Sequence, residues 1–245
     1  MTRQFGLIGY PLGHSFSKGF FTAKFEAEGV DARYDNFPLE HISDFPALLA
    51  AHPQLEGINV TIPHKEKVTS YLHHVSPVVA AIGACNCIRI QNKQLTGYNT
   101  DVVGFEKSLR KKLGHHHNAA LVLGTGGASK AVQYVLQQLQ IPFTVISRKA
   151  DPEKGIREYG ALKKEDLQYA TLWINTTPLG MAPNTESMPP LDYGQVSERH
   201  YLYDLVYNPA ETKFLSAGKS KGAVIENGHD MLIIQAEESW AIWNA

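Results

Sequence analysis

The feature that most constrains the fold of this chain is a glycine-rich turn at residues 124–129, with the sequence Gly-Thr-Gly-Gly-Ala-Ser. The apolar run before it, residues 119–123, predicts a buried strand. The segment after it predicts a helix, because its apolar side chains recur with a 3.6-residue period on one face. Those side chains are Ala128, Ala131, Val132, Val135, Leu136 and Leu139.

A strand, a glycine turn and a helix in this order are typical of a dinucleotide-binding fold. Glycine lets backbone N–H groups approach a pyrophosphate, and the start of the helix adds a partial positive charge. The match to the dinucleotide fingerprint is incomplete, since Ser129 occupies the final Gly/Ala position. We predict nucleotide binding at this turn, with a purely structural turn as the alternative.

The end of the next strand indicates which nucleotide is bound. Residues 143–146 predict a strand that is followed by Ser147, Arg148 and Lys149. An NAD site usually has Asp or Glu at this place to hold the ribose hydroxyls. Two cations instead favour the 2′-phosphate of NADP, and Arg148 can also stack on the adenine. The alternative is a solvated basic loop, since exposed lysine and arginine are common.

Strands and helices alternate along the chain, which predicts an α/β protein with mostly parallel sheets. We predict two α/β domains, residues 1–101 and 102–229, with a cleft between them. A C-terminal helix within residues 230–245 is predicted to pack back on the first domain. The predicted strands cover residues 5–9, 33–37, 58–62, 84–91, 94–97, 119–123, 143–146, 171–175, 201–205 and 223–225. The predicted helices cover about 17–28, 42–51, a short segment from 63, 102–112, 128–139 and 230–243.

The charge balance of the 245-residue chain argues against a large basic binding surface. Lys and Arg together number 23 and Asp and Glu 24, for a net charge of −1, whereas nucleic-acid-binding proteins usually have a basic excess. No apolar run reaches the roughly 18 residues of a membrane span, and the N-terminus has no apolar segment of the signal-peptide kind. We expect a cytoplasmic protein, a monomer or homodimer, with small-molecule partners and no nucleic-acid or membrane partner.

Two cysteines and a histidine run bear on redox and metal chemistry. On one strand, Cys85 and Cys87 would point to opposite faces and could not form a disulfide, as in a reduced intracellular protein. His115, His116 and His117 lack metal-ligand spacing on a common face with the cysteines. We predict a solvated histidine loop and no metal site, which disfavours a zinc-dependent alcohol dehydrogenase.

Two polar groups in the first domain follow or end strands. Ser15 and Ser17 come after the first strand, where two hydroxyls and a helix N-terminus would hold a carboxylate, although Ser17 could be only an N-cap. Asn59 and Thr61 share one face of the third predicted strand, with Ile62 on the other. They lie near a C-terminal strand end, at which open α/β sheets bind ligands.

Three further polar residues of the first domain attract attention. Lys65 is predicted in the first turn of a short helix, where the helix dipole opposes a cation, so it is either solvated or has a pKa lowered for a task. Asn86 lies among apolar residues and needs hydrogen-bond partners if it is buried. Asp101 is either a helix N-cap or the partner of Lys65 in an acid–base pair across the domain junction.

Taken in order, these motifs resemble those of the shikimate dehydrogenase family, from Gly9 to Ala236. Each motif alone is modest, whereas the ordered set is highly specific. The set comprises Ser15 and Ser17, residues 59–61 (Asn-Val-Thr), 63–65 (Pro-His-Lys), Asn86, 99–101 (Asn-Thr-Asp), 124–128, 175–181 (Asn-Thr-Thr-Pro-Leu-Gly-Met), 204–209 (Asp-Leu-Val-Tyr-Asn-Pro), Asn227 with Gly228, and Gln235 with Ala236.

The resemblance implies an enzyme that reduces 3-dehydroshikimate to shikimate with NADPH, in chorismate and aromatic amino acid biosynthesis. It implies a substrate-binding first domain and a Rossmann-type NADP-binding second domain, with Lys65 and Asp101 as the catalytic residues. The residues predicted to bind substrate are Ser15, Ser17, Thr61, Asn86, Tyr207 and Gln235. The residues predicted on the cofactor side are Gly124, Gly126, Gly127, Ala128, Ser147, Arg148, Lys149, Thr176, Met181 and Gly228.

The sequence leaves other functions and one mechanistic choice open. A quinate/shikimate dehydrogenase that accepts NAD would favour an acidic residue where Arg148 and Lys149 stand. A non-catalytic, nucleotide-binding regulatory homologue would be expected to lack Lys65 or Asp101, and both are present. In the reduction, hydride from the nicotinamide reaches the C3 carbonyl. Either Lys65 or Asp101 supplies the proton, since a coupled pair titrates together.

Overall fold

The structure of the protein is a computed structural model, which describes residues 2–13 and 16–245. The chain divides into two units. Unit 1 comprises Met1–Thr100 and Gln235–Ala245, and unit 2 comprises Asp101–Ile234. None of the helices in the described ranges is long and apolar enough to cross a lipid bilayer.

Unit 1 is an α/β unit with a mixed sheet. Its strands are β1 (Arg3–Gly9), β2 (Ala32–Pro38), β3 (Leu55–Val60), β4 (His74–Val75), β5 (Cys87–Gln91) and β6 (Gln94–Tyr98), and its helices include α1 (Phe16–Glu28), α2 (Phe45–Ala51) and α3 (Pro77–Ile82). The strand order is β2-β1-β3-β5-β6-β4. β1 pairs in parallel with β2 and β3, and β5 pairs in antiparallel fashion with β3 and β6. The predicted β5–β6 hairpin is confirmed, with Asn92 and Lys93 at positive φ in its turn.

Apolar side chains cover both faces of the unit 1 sheet. On one face Ile8 packs in a cluster with Phe45. On the other face Phe5 stacks on Trp243, with ring centroids 4.8 Å apart. Gly57 makes room for the indole, because a Cβ at that position would lie 2.4 Å from Trp243 Nε1. The C-terminal segment of the chain is thereby part of the core of unit 1.

The predicted end of the third strand at Ile62 is wrong. β3 ends at Val60, and the chain then turns, with the backbone N–H of His64 donating to Thr61 O at 2.9 Å. The Ile62 side chain is 73% exposed and does not share a buried face with the strand. Strand alternation therefore stops one residue before Thr61, whose backbone N–H still bonds to Ile8 O.

The two cysteines are free and buried, which confirms that no disulfide joins them. Cys85 lies before β5, so the expectation that both occupy one strand is wrong. They nevertheless belong to different sides of the sheet, since Cys85 packs in the cluster of Ile8 and Cys87 in that of Phe5.

Unit 2 is built on a parallel sheet. Its strands are β7 (Ala120–Leu123), β8 (Phe143–Ser147), β9 (Ile156–Glu158), β10 (Leu172–Asn175), β11 (Tyr201–Asp204) and β12 (Val224–Glu226). The α-helices from Thr100 onwards are α4 (Thr100–Arg110), α5 (Gly127–Gln138), α6 (Lys164–Tyr169), α7 (Lys213–Lys219) and α8 (His229–Trp243). α8 begins in unit 2 and continues into unit 1 from Gln235. The strand order is β12-β11-β10-β7-β8-β9, and these pairings are all parallel. This is the strand order of dinucleotide-binding folds, in which the sheet grows outwards in one direction from β7 to β9 and in the other from β10 to β12.

The histidine run is only partly a solvated loop, and the prediction is wrong for His117. Its ring is buried, lies 5.4 Å from the Tyr201 ring between centroids, and accepts the backbone N–H of Gly114 at 2.9 Å. Burial, aided by neighbouring histidines, lowers the pKa of His117 to about 4. Within the described residues, no group of three His, Cys, Asp or Glu side chains is placed to hold a metal ion.

Candidate functional site

The glycine-rich turn of unit 2 lies at the C-terminal end of β7, where the strand order reverses. Gly124 has a φ of +115°, and a Cβ on it would lie 2.6 Å from Thr176 Oγ1 at the end of β10. Gly126 caps α5 without a side-chain hydrogen bond, and no described atom lies within 4 Å of the place a Cβ would take. A 12-residue helix whose first N–H groups sit behind glycine is suited to an anion.

Ser129 explains how the turn departs from the usual fingerprint. Its side chain is buried, donates to Gly124 O at 2.7 Å and accepts from Gln133 Nε2 at 3.0 Å. The serine therefore connects the glycine-rich turn to the first turn of α5 by a hydrogen bond. Gly127 and Ala128 are half-buried in that first turn.

The predicted basic segment follows β8, the strand next to β7. The backbone N–H of Gly124 donates to Ile146 O at 2.8 Å, which ties the glycine turn to the end of β8. Ser147 is half-buried, and Arg148 and Lys149 are exposed. Exposed cations beside an open glycine turn fit a dinucleotide that carries an extra phosphate.

The loops after β10 and β11 are held by a buried carboxylate that the sequence analysis did not single out. Asp204 Oδ1 accepts from Asn175 Nδ2 and from the Val206 backbone N–H, both at 3.0 Å. Asp204 Oδ2 accepts from Thr212 Oγ1 at 2.6 Å. Burial raises the pKa of Asp204 to about 6, although the three hydrogen bonds act in the opposite direction.

The loops after β10 and β11 carry Met181 and Tyr207, and Gly228 lies between β12 and α8. Met181 is 46% exposed, and Tyr207 is half-buried. Gly228 is buried against the backbone of the β11 loop, since a Cβ there would lie 2.1 Å from Leu205 O. The structure thus gives Gly228 a packing reason to be glycine, while its place on the cofactor side stays a prediction.

In unit 1, Lys65 lies in a turn and not in a helix, so the helix-dipole interpretation of this lysine is wrong. The segment that follows is a 3₁₀-helix over Lys67–Tyr71. The Lys65 side chain is half-buried, and its backbone O accepts the N–H of Cys85 at 2.7 Å. The adjacent His64 is buried, with ring Nε2 2.5 Å from Leu39 O. The turn is therefore attached to two other segments of unit 1.

The two N-cap alternatives are also wrong. Ser17 lies inside α1, which begins at Phe16, and Asp101 lies inside α4, which begins at Thr100. Asp101 is 6% exposed. Ser15 lies outside the described residues.

A buried polar network in unit 1 surrounds Asn86 and Gln235. Asn86 Oδ1 accepts the backbone N–H of Thr100 at 2.7 Å, and Asn86 Nδ2 donates to Thr100 Oγ1 at 3.0 Å. Thr100 Oγ1 donates to Gln235 Oε1 at 3.3 Å. The structure therefore brings two of the predicted substrate-binding side chains together through Thr100, and Thr61 is half-buried at the end of β3.

The same network extends to Ser17 through Asn59, which the sequence analysis singled out, and through Tyr34 and Ser239, which it missed as site residues. Tyr34 is buried, its hydroxyl donates to Asn59 Oδ1 at 2.9 Å, and it also hydrogen-bonds with the Ser17 side chain. Asn59 Nδ2 donates to Ser239 Oγ at 2.9 Å. A tyrosine in a predicted strand and a serine in a predicted helix give no local signal of such a role.

This geometry defines unit 2 as a Rossmann-type nucleotide-binding fold and unit 1 as an α/β unit that holds a buried amide network. Residues 7–88 match the family model described as "Shikimate dehydrogenase substrate binding domain". A relative from Oleidesulfovibrio alaskensis, named "Shikimate dehydrogenase (NADP(+))", is 40% identical over 98% of this chain and 88% of its own length.

Two solved structures are similar over nearly the whole fold. Shikimate 5-dehydrogenase from Thermus thermophilus in complex with NADP(H) and shikimate aligns with a TM-score of 0.87 at 29% identity, over 98% of this chain and 93% of the other. Quinate dehydrogenase from Corynebacterium glutamicum in complex with NAD aligns with a TM-score of 0.88 at 25% identity, over 99% and 93%. The chain belongs to the shikimate dehydrogenase family, as its ordered motifs predict.

Proposed function

We propose that this protein catalyses the reversible, NADPH-dependent reduction of 3-dehydroshikimate to shikimate, an oxidoreductase step of chorismate and aromatic amino acid biosynthesis. One observation carries the proposal: the 40% identity, over 98% of the chain, with a relative named "Shikimate dehydrogenase (NADP(+))". The retention of Lys65 and Asp101 supports an active enzyme over a non-catalytic nucleotide-binding homologue.

NADPH is the proposed cofactor, and unit 2 has the groups to hold it. The backbone of residues 124–127 and the start of α5 would bind the pyrophosphate, and Arg148 and Lys149 with Ser147 would bind the 2′-phosphate. When bound, NADPH supplies the hydride that reduces the carbonyl carbon. The other residues proposed on the cofactor side are Ala128, Thr176, Met181 and Gly228.

Lys65 is the proposed general acid. As the C3 carbonyl becomes a hydroxyl, negative charge develops on its oxygen and a proton must reach it. An ammonium group within hydrogen-bond distance stabilises that charge and donates the proton. The anchored turn described above would hold Lys65 in one place, which general acid catalysis requires. Asp101 is the second proposed catalytic residue, and its carboxylate would accept a substrate hydroxyl hydrogen.

The substrate carboxylate is proposed to bind at Ser15 and Ser17. Two hydroxyl donors near the start of α1 suit an anion, because the helix N-terminus carries partial positive charge. The other residues proposed to contact substrate are Thr61, Asn86, Gln235 and Tyr207. We further propose that the protein works in the cytoplasm as a monomer or homodimer, with small molecules as its partners and neither nucleic acid nor membrane among them. The near-zero net charge and the two free thiols support this setting.

A spectrophotometric assay of NADPH oxidation tests the proposal. The purified protein is given 3-dehydroshikimate or 3-dehydroquinate, each with NADPH or NADH. We expect the highest kcat/KM with 3-dehydroshikimate and NADPH. Preference for 3-dehydroquinate with NADH would favour the quinate dehydrogenase alternative, to which the structural similarity with the Corynebacterium glutamicum enzyme draws attention. Absence of oxidation in all four combinations would contradict catalysis by this chain.

A further inference from the structure

Thr100 forms hydrogen bonds with the side-chain amide of Asn86 through both its backbone N–H and its hydroxyl. Its backbone N–H donates to Asn86 Oδ1 at 2.7 Å, and its hydroxyl accepts from Asn86 Nδ2 at 3.0 Å. A backbone N–H can only donate, so the amide oxygen must face it, and the pair of bonds determines which way the amide is turned. Both residues are buried, at 1% and 3% exposure, so water does not replace these bonds.

The same hydroxyl also contacts Gln235. Thr100 Oγ1 lies 3.3 Å from Gln235 Oε1, which can accept its hydrogen, and Asn86 Oδ1 is an alternative acceptor at the same distance. The Gln235 amide thus has its oxygen next to the Thr100 hydroxyl. One hydroxyl thus contacts two amides, that of Asn86, 14 positions before Thr100 in the chain, and that of Gln235, 135 positions after it.

Thr100 itself is backed by further buried hydrogen bonds. Its Oγ1 lies 3.3 Å from Ser239 Oγ, which donates to the backbone O of Gln235 at 2.9 Å. Ser239 Oγ also accepts from Asn59 Nδ2 at 2.9 Å, and Asn59 Oδ1 is occupied by the hydroxyl of Tyr34. Thr100 therefore belongs to a network of buried hydrogen bonds. Such a network restricts the positions of the side chains that take part in it.

We infer that Thr100 is a positioning residue that holds the amide of Asn86 in the orientation needed to donate a hydrogen bond to an oxygen atom of the substrate, with the Gln235 amide in contact with the same hydroxyl. The inference rests on the proposed function, in which these two amides contact substrate. Asn86 Nδ2 gives one hydrogen to Thr100 Oγ1 and has a second hydrogen with which to donate. An N–H group held in this way suits a substrate oxygen that accepts a hydrogen bond.

Thr100→Val tests the inference, because valine has the shape of threonine without its hydroxyl. We expect the KM for shikimate to rise about tenfold, because the Asn86 amide loses one of the two bonds that orient it and the Gln235 amide loses a contact. The kcat should change by less than threefold and the KM for NADPH by less than twofold, since Thr100 does not touch the reacting atoms. Thr100→Ser keeps the hydroxyl and should restore the KM for shikimate to within about twofold of the wild type. In an Asn86→Ala, Gln235→Ala background, Thr100→Val should have little further effect.

Thr171→Val is a matched control. Thr171 is also buried, at 3% exposure, and its hydroxyl donates to His116 O at 2.8 Å in unit 2. This variant should lose similar stability without a change in the KM for shikimate. If Thr100→Val does not fold, Thr100→Ala against Thr100→Ser makes the same comparison.

The outcomes separate this inference from the proposed function. A wild-type protein that does not reduce 3-dehydroshikimate would overturn the proposed function. An active wild type whose hydroxyl-free variants keep the KM for shikimate would overturn only the role of Thr100. An equal increase of KM in the wild-type and Asn86→Ala, Gln235→Ala backgrounds would do the same, because Thr100 would then act without those amides.

Discussion

The two units hold their loops with different buried chemistry. In unit 1 the network around Thr100 consists of neutral hydroxyls and amides, whereas in unit 2 the loops after β10 and β11 converge on the carboxylate of Asp204. A carboxylate accepts several donors without any choice of hydrogen position, but its hydrogen bonding changes with pH. A neutral network has no such titration, and it avoids like-charge repulsion with an anionic substrate.

This difference suggests that unit 1 recognises the substrate and unit 2 recognises the cofactor. The neutral network of unit 1 suits recognition of a carboxylate-bearing ring, and unit 2 combines an anion-binding helix start with exposed cations for the cofactor phosphates. Substitutions in unit 1 should therefore change substrate recognition and turnover, and those in unit 2 should change cofactor recognition and pH-dependent stability.

The largest expected effect is at Lys65 of unit 1. Lys65→Ala should lower kcat by roughly 10²–10⁴-fold, because it removes both the proton donor and the positive charge beside the developing oxyanion. The KM for shikimate should change much less. Steady-state kinetics check this, with Lys67→Ala, an exposed lysine two positions on, as the control. Turnover near the wild-type value would remove Lys65 from the mechanism.

The next effect concerns the titration of Asp204. Its folded-state pKa of about 6 lies above the ordinary 3.8, so the proton is held more tightly in the folded protein. The associated stability is present below about pH 4 and is lost as the pH rises through 6. The difference between these two pKa values corresponds to about 3 kcal/mol of the free energy of unfolding.

Asp204→Asn should remove this pH dependence, because asparagine keeps one accepting oxygen and does not titrate. Urea unfolding at several pH values between about 4 and 7 measures it as the difference between variant and wild type. Asp31→Asn, at an exposed position, is the control. Identical pH profiles for Asp204→Asn and the wild type would show that the Asp204 carboxylate does not cause this pH dependence of the free energy of unfolding.

Arg148 should distinguish the cofactors. Arg148→Ala should raise the KM for NADPH about ten- to a hundredfold and leave that for NADH nearly unchanged, since one charge-assisted contact with phosphate is worth roughly 1.5–3 kcal/mol. Kinetics with both cofactors check this, and Arg199→Ala serves as an exposed control in the same unit. An equal increase of the KM for NADPH and of the KM for NADH would mean that Arg148 supports its loop and does not contact the 2′-phosphate.

The smallest effect is expected at Ser129. Ser129→Ala should lower the free energy of unfolding by about 1 kcal/mol, the usual contribution of one hydrogen bond, because Gly124 O loses its donor. The KM for NADPH should stay within about twofold, since alanine is also accepted at this fingerprint position. Chemical denaturation measures the first quantity. A large rise in KM without loss of stability would instead make the Ser129 hydroxyl part of the cofactor site.

The sequence predicts unit 2 better near its glycine turn than elsewhere. The turn, the helix face with Val132 and Leu136, and the strand before Ser147 leave local patterns, and all three are present in the structure. Short elements such as β4, β9 and α6 leave none, because they are stabilised by tertiary contacts and not by their own periodicity.

In unit 1 the errors have a common physical origin. Ile62 and Lys65 depart from the predicted strand and helix where the chain turns, and a turn closed by backbone hydrogen bonds has no apolar period to detect. An error in unit 2 has a related cause, since His117 is polar by type but is buried by contact with Tyr201, far away in the sequence. The roles of Tyr34 and Thr100 likewise depend on partners tens of positions away.

The most direct test of the division between the units is calorimetric titration of shikimate and of NADP⁺ into the wild type, Thr100→Val and Arg148→Ala. We expect Thr100→Val to weaken shikimate binding about tenfold and to leave NADP⁺ binding within about twofold. We expect the reverse for Arg148→Ala, with NADP⁺ binding weakened about ten- to a hundredfold. If either substitution weakened both ligands to the same extent, the assignment of substrate to unit 1 and cofactor to unit 2 would be contradicted.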